Sequence, residues 1–146
     1  MGERGPDLVL ATAAASWRHS VLVKVCGDLG GDEALRAALP SGWRLARSDD
    51  RTHPVTDLIV VVAASDGDTV ARARREHPTD PLLAIVPAMA DSCLVVAALE
   101  AGADACVRTA GAAVVASHLL SMQRRRELDR VNQYTHADLS ADLTGL

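Results

Sequence analysis

Short apolar runs alternate with stretches of helical periodicity along most of this chain. Val21 to Cys26 is apolar except for Lys24, the pattern of a strand buried on both faces. Gly30-Gly31 ends that segment. Asp32 to Leu39 then places Ala34, Leu35, Ala38 and Leu39 on one helical face. Pro40 to Gly42 stops the helix, and Trp43 to Ser48 alternates as a second strand. Leu58 to Ala64 is the most apolar strand segment. Asp66 or Asp68 is positioned to cap a helix reaching about His77. Pro78 and Pro81 flank a turn before the buried strand Leu82 to Val86. Asp91 caps a further helix that ends at Gly102, a residue suited to the position after a helix terminus. Ala105 to Arg108 is a short fifth strand. From Gly111 the pattern is helical, and Ala112 to about Ala137 predicts a helix roughly 40 Å long at about 1.5 Å per residue.

Strands in alternation with helices predict an α/β fold with a parallel sheet. Five strands of this size predict the flavodoxin-like doubly wound order, with helices on both faces. One connection is short. Between Ser48 and Asp57, with Pro54 inside it, there is little room for a crossover helix. A shortened or missing second helix is expected there. The domain plan is an N-terminal extension over 1–20, the α/β domain over 21–123 and a helical linker over 124–146.

The hydrophobic fraction of 49% in 146 residues suits one domain with a real core and excludes a disordered chain. There is no Phe and one Tyr, so that core is aliphatic. The net charge of −4 gives no reason to expect nucleic-acid binding. No apolar run approaches the roughly 18 residues of a membrane span. Leu8 to Ala15 is apolar and Ala13-Ala14-Ala15 imitates a cleavage site, but Glu3 and Asp7 spoil a secretory leader. Cys26, Cys93 and Cys106 lack metal-ligand spacing and form no C-x-x-C pair. They are expected to be reduced, small core residues of a cytoplasmic protein. A redox pairing of Cys26 with Cys106, on strands near one end of the sheet, is the less favoured alternative. His19, His53, His77, His118 and His136 share no motif and read as surface or helix residues. Gly27-x-x-Gly30-Gly31 lacks the spacing of a dinucleotide loop. No metal and no cofactor are expected.

The segment Ala98-Leu99-Glu100-Ala101-Gly102-Ala103-Asp104 resembles the end of the fourth helix and start of the fifth strand in response-regulator receiver domains. Asp57-Leu58-Ile59-Val60-Val61 is similar to the third strand of that family, and Val21-Leu22-Val23 to the first. The resemblance covers roughly residues 20 to 125. It implies a phosphorylation chemistry of two acidic residues holding a cation, an acceptor aspartate, a hydroxyl and a lysine. Here the acidic pair falls on Val25-Cys26 or Cys26-Gly27, with Asp28 the only nearby carboxylate. The acceptor falls on Val62, or on Val61 or Ala63 if the register shifts by one. The hydroxyl falls on Val86, the lysine on Thr109 beside Arg108, and the aromatic switch residue on Cys106. Valine cannot accept a phosphoryl group. The resemblance therefore implies a degenerate pocket of Cys26, Gly27, Asp28, Val62, Val86 and Thr109, in a domain that is not itself an enzyme.

Asp142-Leu143-Thr144-Gly145-Leu146 is similar to the opening of the GGDEF domain of diguanylate cyclases, although Ala141 stands where that family has its first Asp. The resemblance implies a cyclase output controlled by the preceding domain. Two apolar features fit pairing. Cys93 to Leu99 is seven apolar residues with no polar face, which points to an interface at Cys93, Val96 and Ala97. In the receiver family this side is a frequent dimer surface. Leu128 and Val131, followed by Tyr134 or Thr135 and Asp138 or Leu139, form a thin seam on the last helix. Arg124-Arg125-Arg126 reads as a solvated face where that helix leaves the domain, without aromatic neighbours for nucleic acid. The expected state is a homodimer, with a protein partner or a small ligand open as the input and no nucleic-acid or membrane partner. The alternative functions are a flavodoxin-like ligand- or nucleotide-binding domain and an adaptor domain of a transcription regulator.

Overall fold

The computed structural model describes residues 20–47, 55–109 and 111–144, and of 134–144 the backbone alone. Five strands, β1 (Leu22–Cys26), β2 (Arg44–Arg47), β3 (Leu58–Val62), β4 (Leu82–Val86) and β5 (Ala105–Arg108), form one sheet in the order β2-β1-β3-β4-β5. Every pairing is parallel. This is the flavodoxin-like doubly wound arrangement expected from the alternation of strands and helices. The four described helices are α1 (Glu33–Ala38), α2 (Asp68–Glu76), α3 (Ser92–Glu100) and α4 (Ala112–Thr144). Among the described residues no helix lies between β2 and β3.

β3 and β4 read as unbroken apolar runs because both of their faces are covered. Every residue of β4 is buried, and so are the first four of β3. On one face Val23, Leu58, Val60, Leu83, Ile85 and Val107 meet Leu35 and Leu39 of the α1 region and Val115, Ala116, Leu119 and Met122 of α4. On the other, Ile59, Val61, Leu82, Ala84 and Val86 meet Val70 and Ala73 of α2 and Ala98 of α3. The apolar face of α1 is narrower than its pattern suggests, since Ala34 and Ala38 are exposed. Cys93 is exposed rather than in the core, because it lies in the first turn of α3 on the side away from the sheet.

Helix ends follow local chemistry. The Asp91 carboxylate accepts from Leu94 N–H at 3.1 Å, capping α3. At α2 the cap position is Gly67, and Asp66 instead accepts from Asp68 N–H at 3.0 Å in the turn before it. α4 spans 33 residues and ends at Thr144, beyond the expected Ala137. Its only strong breaker, Gly145, lies outside the described residues, as does Leu146. At about 1.5 Å per residue α4 is roughly 50 Å long.

The amino-terminal edge of the sheet is closed by a device used twice. Asp57 N–H donates to Leu22 C=O, and the Asp57 carboxylate accepts from Leu22 N–H, both at 2.9 Å. Asp104 N–H donates to Leu82 C=O at 2.9 Å, and its carboxylate accepts from Leu82 N–H at 2.8 Å. Each aspartate precedes a strand and ties off the strand beside it. These strand-end N–H groups are thereby satisfied.

Candidate functional site

The carboxyl ends of β3, β4 and β5, the loop after β1 and the start of α4 line a half-open cavity of about 170 Å³. Its wall is Leu29, Val62, Ala63, Ala64, Ile85, Val86, Pro87, Thr109 and Val115, with Asp28 at the rim. The degenerate-pocket residues Asp28, Val62, Val86 and Thr109 thus come together. Cys26 and Gly27 do not line the cavity. Strand alternation explains Cys26: it points to the α2 and α3 face, among Val61, Ala84 and Val86. Gly27 adopts φ +102 and a Cβ there would meet the Val62 side chain at 3.0 Å, so its place is a tight backbone approach behind the cavity.

In the cavity lining the polar side chains are Asp28 and Thr109. The Asp28 carboxylate accepts from Gly30 N–H at 2.8 Å. Arg47 is committed elsewhere, donating to Gly27 C=O at 2.8 Å and pairing with Asp32 at 3.2 Å. Thr109 Oγ1 accepts from Gly111 N–H at 2.7 Å. Arg108 reaches Ser92 at 3.2 Å. Among the described residues no group of three or more His, Cys, Asp or Glu is arranged to hold a metal ion.

Cys26 and Cys106 are not close. The sheet register sets Cys26 beside Val61, Val61 beside Ala84 and Ala84 beside Cys106. Three strand spacings separate them by about 14 Å, beyond the roughly 7 Å Cα limit for a disulfide. Burial pushes both thiols above the ordinary cysteine range, opposed at Cys26 by Lys24 and at Cys106 by Arg108. Neither is an activated thiolate.

Two outward surfaces carry the residues expected at an interface. On α3, Cys93 and Val96 are exposed, Val96 at 49%. Ala97 is half-buried, with its carbonyl only 2.8 Å from where a Cβ on Gly67 would sit. Leu99, 44% exposed, extends the patch and was visible in the same apolar run. On α4, Leu128 and Val131 are exposed beyond the last buried turn, which holds Met122 and Gln123.

A third feature, at the opposite end of the sheet, has no counterpart in the apolar pattern. Arg126 is not part of a solvated face. Its guanidinium donates to Asp57 C=O and to the Asp80 carboxylate, the latter at 3.3 Å. The other Asp80 oxygen is 3.3 Å from His77 Nδ1, and His77 Nε2 is 3.0 Å from Lys24 Nζ. Lys24 is a donor only, so Nε2 accepts and the ring proton sits on Nδ1, facing Asp80. A chain of polar contacts therefore runs from β1 to the point where α4 leaves the domain. Alongside it Arg74 bonds Gly102 C=O, His77 C=O, Asp80 C=O and the Asp104 carboxylate.

No family model matches the chain, and no curated protein matches it. Solved structures do. A LuxR family DNA-binding response regulator from Silicibacter pomeroyi is 22% identical with a TM-score of 0.55, over 71% of this chain and 92% of that one. A response regulator from Thermotoga maritima is 16% identical with a TM-score of 0.56, over 71% and 98%. A response regulator receiver domain protein from Clostridium thermocellum is 12% identical with a TM-score of 0.57, over 74% and 98%. This chain has the receiver-like fold. Among the described residues no helix is long and apolar enough to cross a membrane.

Proposed function

We propose that this chain is a phosphorylation-independent receiver-like signalling domain that pairs with a second copy and thereby governs a diguanylate cyclase output. The observation that carries the reading is the aliphatic strand-end cavity, where Val62 ends β3 and Asp28 is the one carboxylate in the lining. A single carboxylate is a poor site for a divalent cation, which takes several oxygen ligands. Pairing is supported by the apolar exposure of Cys93, Val96 and Leu99 on α3 and of Leu128 and Val131 on α4. The run from Asp142 to Leu146 supports a GGDEF-type output. The reading includes a cytoplasmic setting, supported by three unpaired cysteines.

Two measurements test it. Incubated with acetyl phosphate and Mg²⁺, the chain is expected to show no mass gain of a phosphoryl group. A stoichiometric gain would remove the first half of the proposal. For the second half, light scattering after gel filtration is run on residues 1–146 and on a chain ending at Glu127, which keeps the Arg126 contacts. A dimer that becomes a monomer on truncation assigns pairing to α4. Two dimers assign it to α3. Two monomers at high concentration refute pairing.

A further inference from the structure

The strand-end cavity is lined by aliphatic side chains where the family resemblance implies polar ones. Its wall is Val, Ala, Ile, Leu and Pro together with Thr109, and Asp28 stands at the rim. Its floor is buried: Ala63, Val86 and Val115 are nearly inaccessible. Its volume of about 170 Å³ compares with the roughly 150 Å³ of an engineered apolar cavity that takes up benzene. The space suits one ring or a short branched chain.

Charge narrows the class further. Among the described residues Asp28 has no cationic partner, since the nearby Arg47 is held by Asp32 and Gly27 C=O. Arg108, a further cation at this end of the sheet, reaches Ser92, so Asp28 is the one charged group in the cavity lining. An anion is disfavoured there. A metal ion is disfavoured too, because one carboxylate and an apolar wall cannot replace its hydration shell. A molecule with an apolar body and a protonated nitrogen satisfies both halves of the site.

We infer that this cavity binds a small organic amine, its apolar body against Val62, Ile85, Val86 and Val115 and its ammonium on the Asp28 carboxylate. Val115 belongs to α4, so the bound molecule touches the element that leads out of the domain. The inference needs neither pairing nor a cyclase.

The test titrates benzylamine, benzyl alcohol and benzoate into the full chain and follows backbone amide shifts. Benzylamine is expected to give saturable shifts centred on Ala63, Ala64 and Thr109, with benzoate giving none. Asp28→Asn keeps an oxygen for Gly30 N–H. It should weaken benzylamine about fivefold and benzyl alcohol by less than about twofold. Val62→Phe should abolish both by filling the space. Non-saturating benzylamine shifts, equal binding of benzoate, or an Asp28→Asn variant that binds benzylamine unchanged would each overturn the inference. If Val62→Phe does not fold, Asp28→Asn decides alone, since it lies at the exposed rim. Light scattering on the same samples keeps the outcomes apart: a monomer that binds benzylamine loses the pairing model and retains this site.

Discussion

Replacing Arg74 with methionine is expected to lower the unfolding free energy by about 3 kcal/mol, or roughly 10 °C in Tm. Methionine keeps most of the stem packing and removes the guanidinium. That group donates twice to Gly102 C=O, at 2.9 and 2.7 Å, and once each to His77 C=O at 3.1 Å and Asp80 C=O at 2.9 Å. It also pairs with Asp104 at 2.9 Å while that carboxylate caps Leu82 N–H. One side chain thus ties the end of α2 to the turn before β4 and to the turn between α3 and β5. Its loss leaves several partly buried carbonyls without a donor, which costs more than the net worth of the bonds themselves. Arg74→Lys should recover less than half of the deficit. An ammonium has three donors on one atom and cannot span acceptors on both sides as a planar fork does. Urea unfolding of the three chains checks this. A loss for Arg74→Met below about 1 kcal/mol would show that water replaces the guanidinium at little cost.

The same residues explain a motif. Gly102-Ala103-Asp104 carries much of the family resemblance, and each part has a structural reason in this fold. Gly102 sits at φ +123, and a Cβ there would lie 2.8 Å from Arg74 Cγ. Ala103 is buried against the α2 and α3 face. Asp104 ties off β4. The motif therefore reports the packing of a turn.

Strands were the most legible part of this sequence. Leu58 to Val62 and Leu82 to Val86 are apolar without interruption because helices cover both faces, and that run-length signal is strong. The long last helix is legible as a helix, and it runs past the expected end at Ala137. No breaker precedes Gly145, and reading to that glycine would have found Thr144. The pocket was half legible. Val62 ends β3 and Thr109 follows β5, the two strands that flank β4, so both lie at the same end of the sheet. Cys26 lies outside the cavity because alternation turns it to the other face, a step available from the sequence. Arg74, His77, Asp80 and Arg126 were not legible. Apolar periodicity marks what a helix buries and reads its charged residues as solvated. Whether a guanidinium curls back onto the domain depends on carbonyls brought there by distant turns.

Leucines at positions 119 and 128 of α4 should behave as opposites, although the residue and the helix are the same. Leu119 is fully buried among Val115, Ala116, Met122 and the sheet. Leu119→Ala removes its contacts and leaves a cavity that a rigid sheet cannot close, at a cost of about 3 kcal/mol. Leu128 is 57% exposed, one turn past the buried Gln123. Leu128→Ala should change unfolding by less than about 0.5 kcal/mol when measured at a concentration where the chain is monomeric. If α4 pairs with its twin, that same substitution should raise the concentration at which dimers form. Unfolding would then depend on protein concentration in the parent chain and less so in the variant. The boundary between the two behaviours falls at Arg126, whose guanidinium bonds Asp57 and Asp80. Equal costs for the two substitutions would mean that the outer turns of α4 fold back onto their own domain. A helix occupied in that way has no free seam to offer a partner, and the pairing role assigned to it would have to pass to α3.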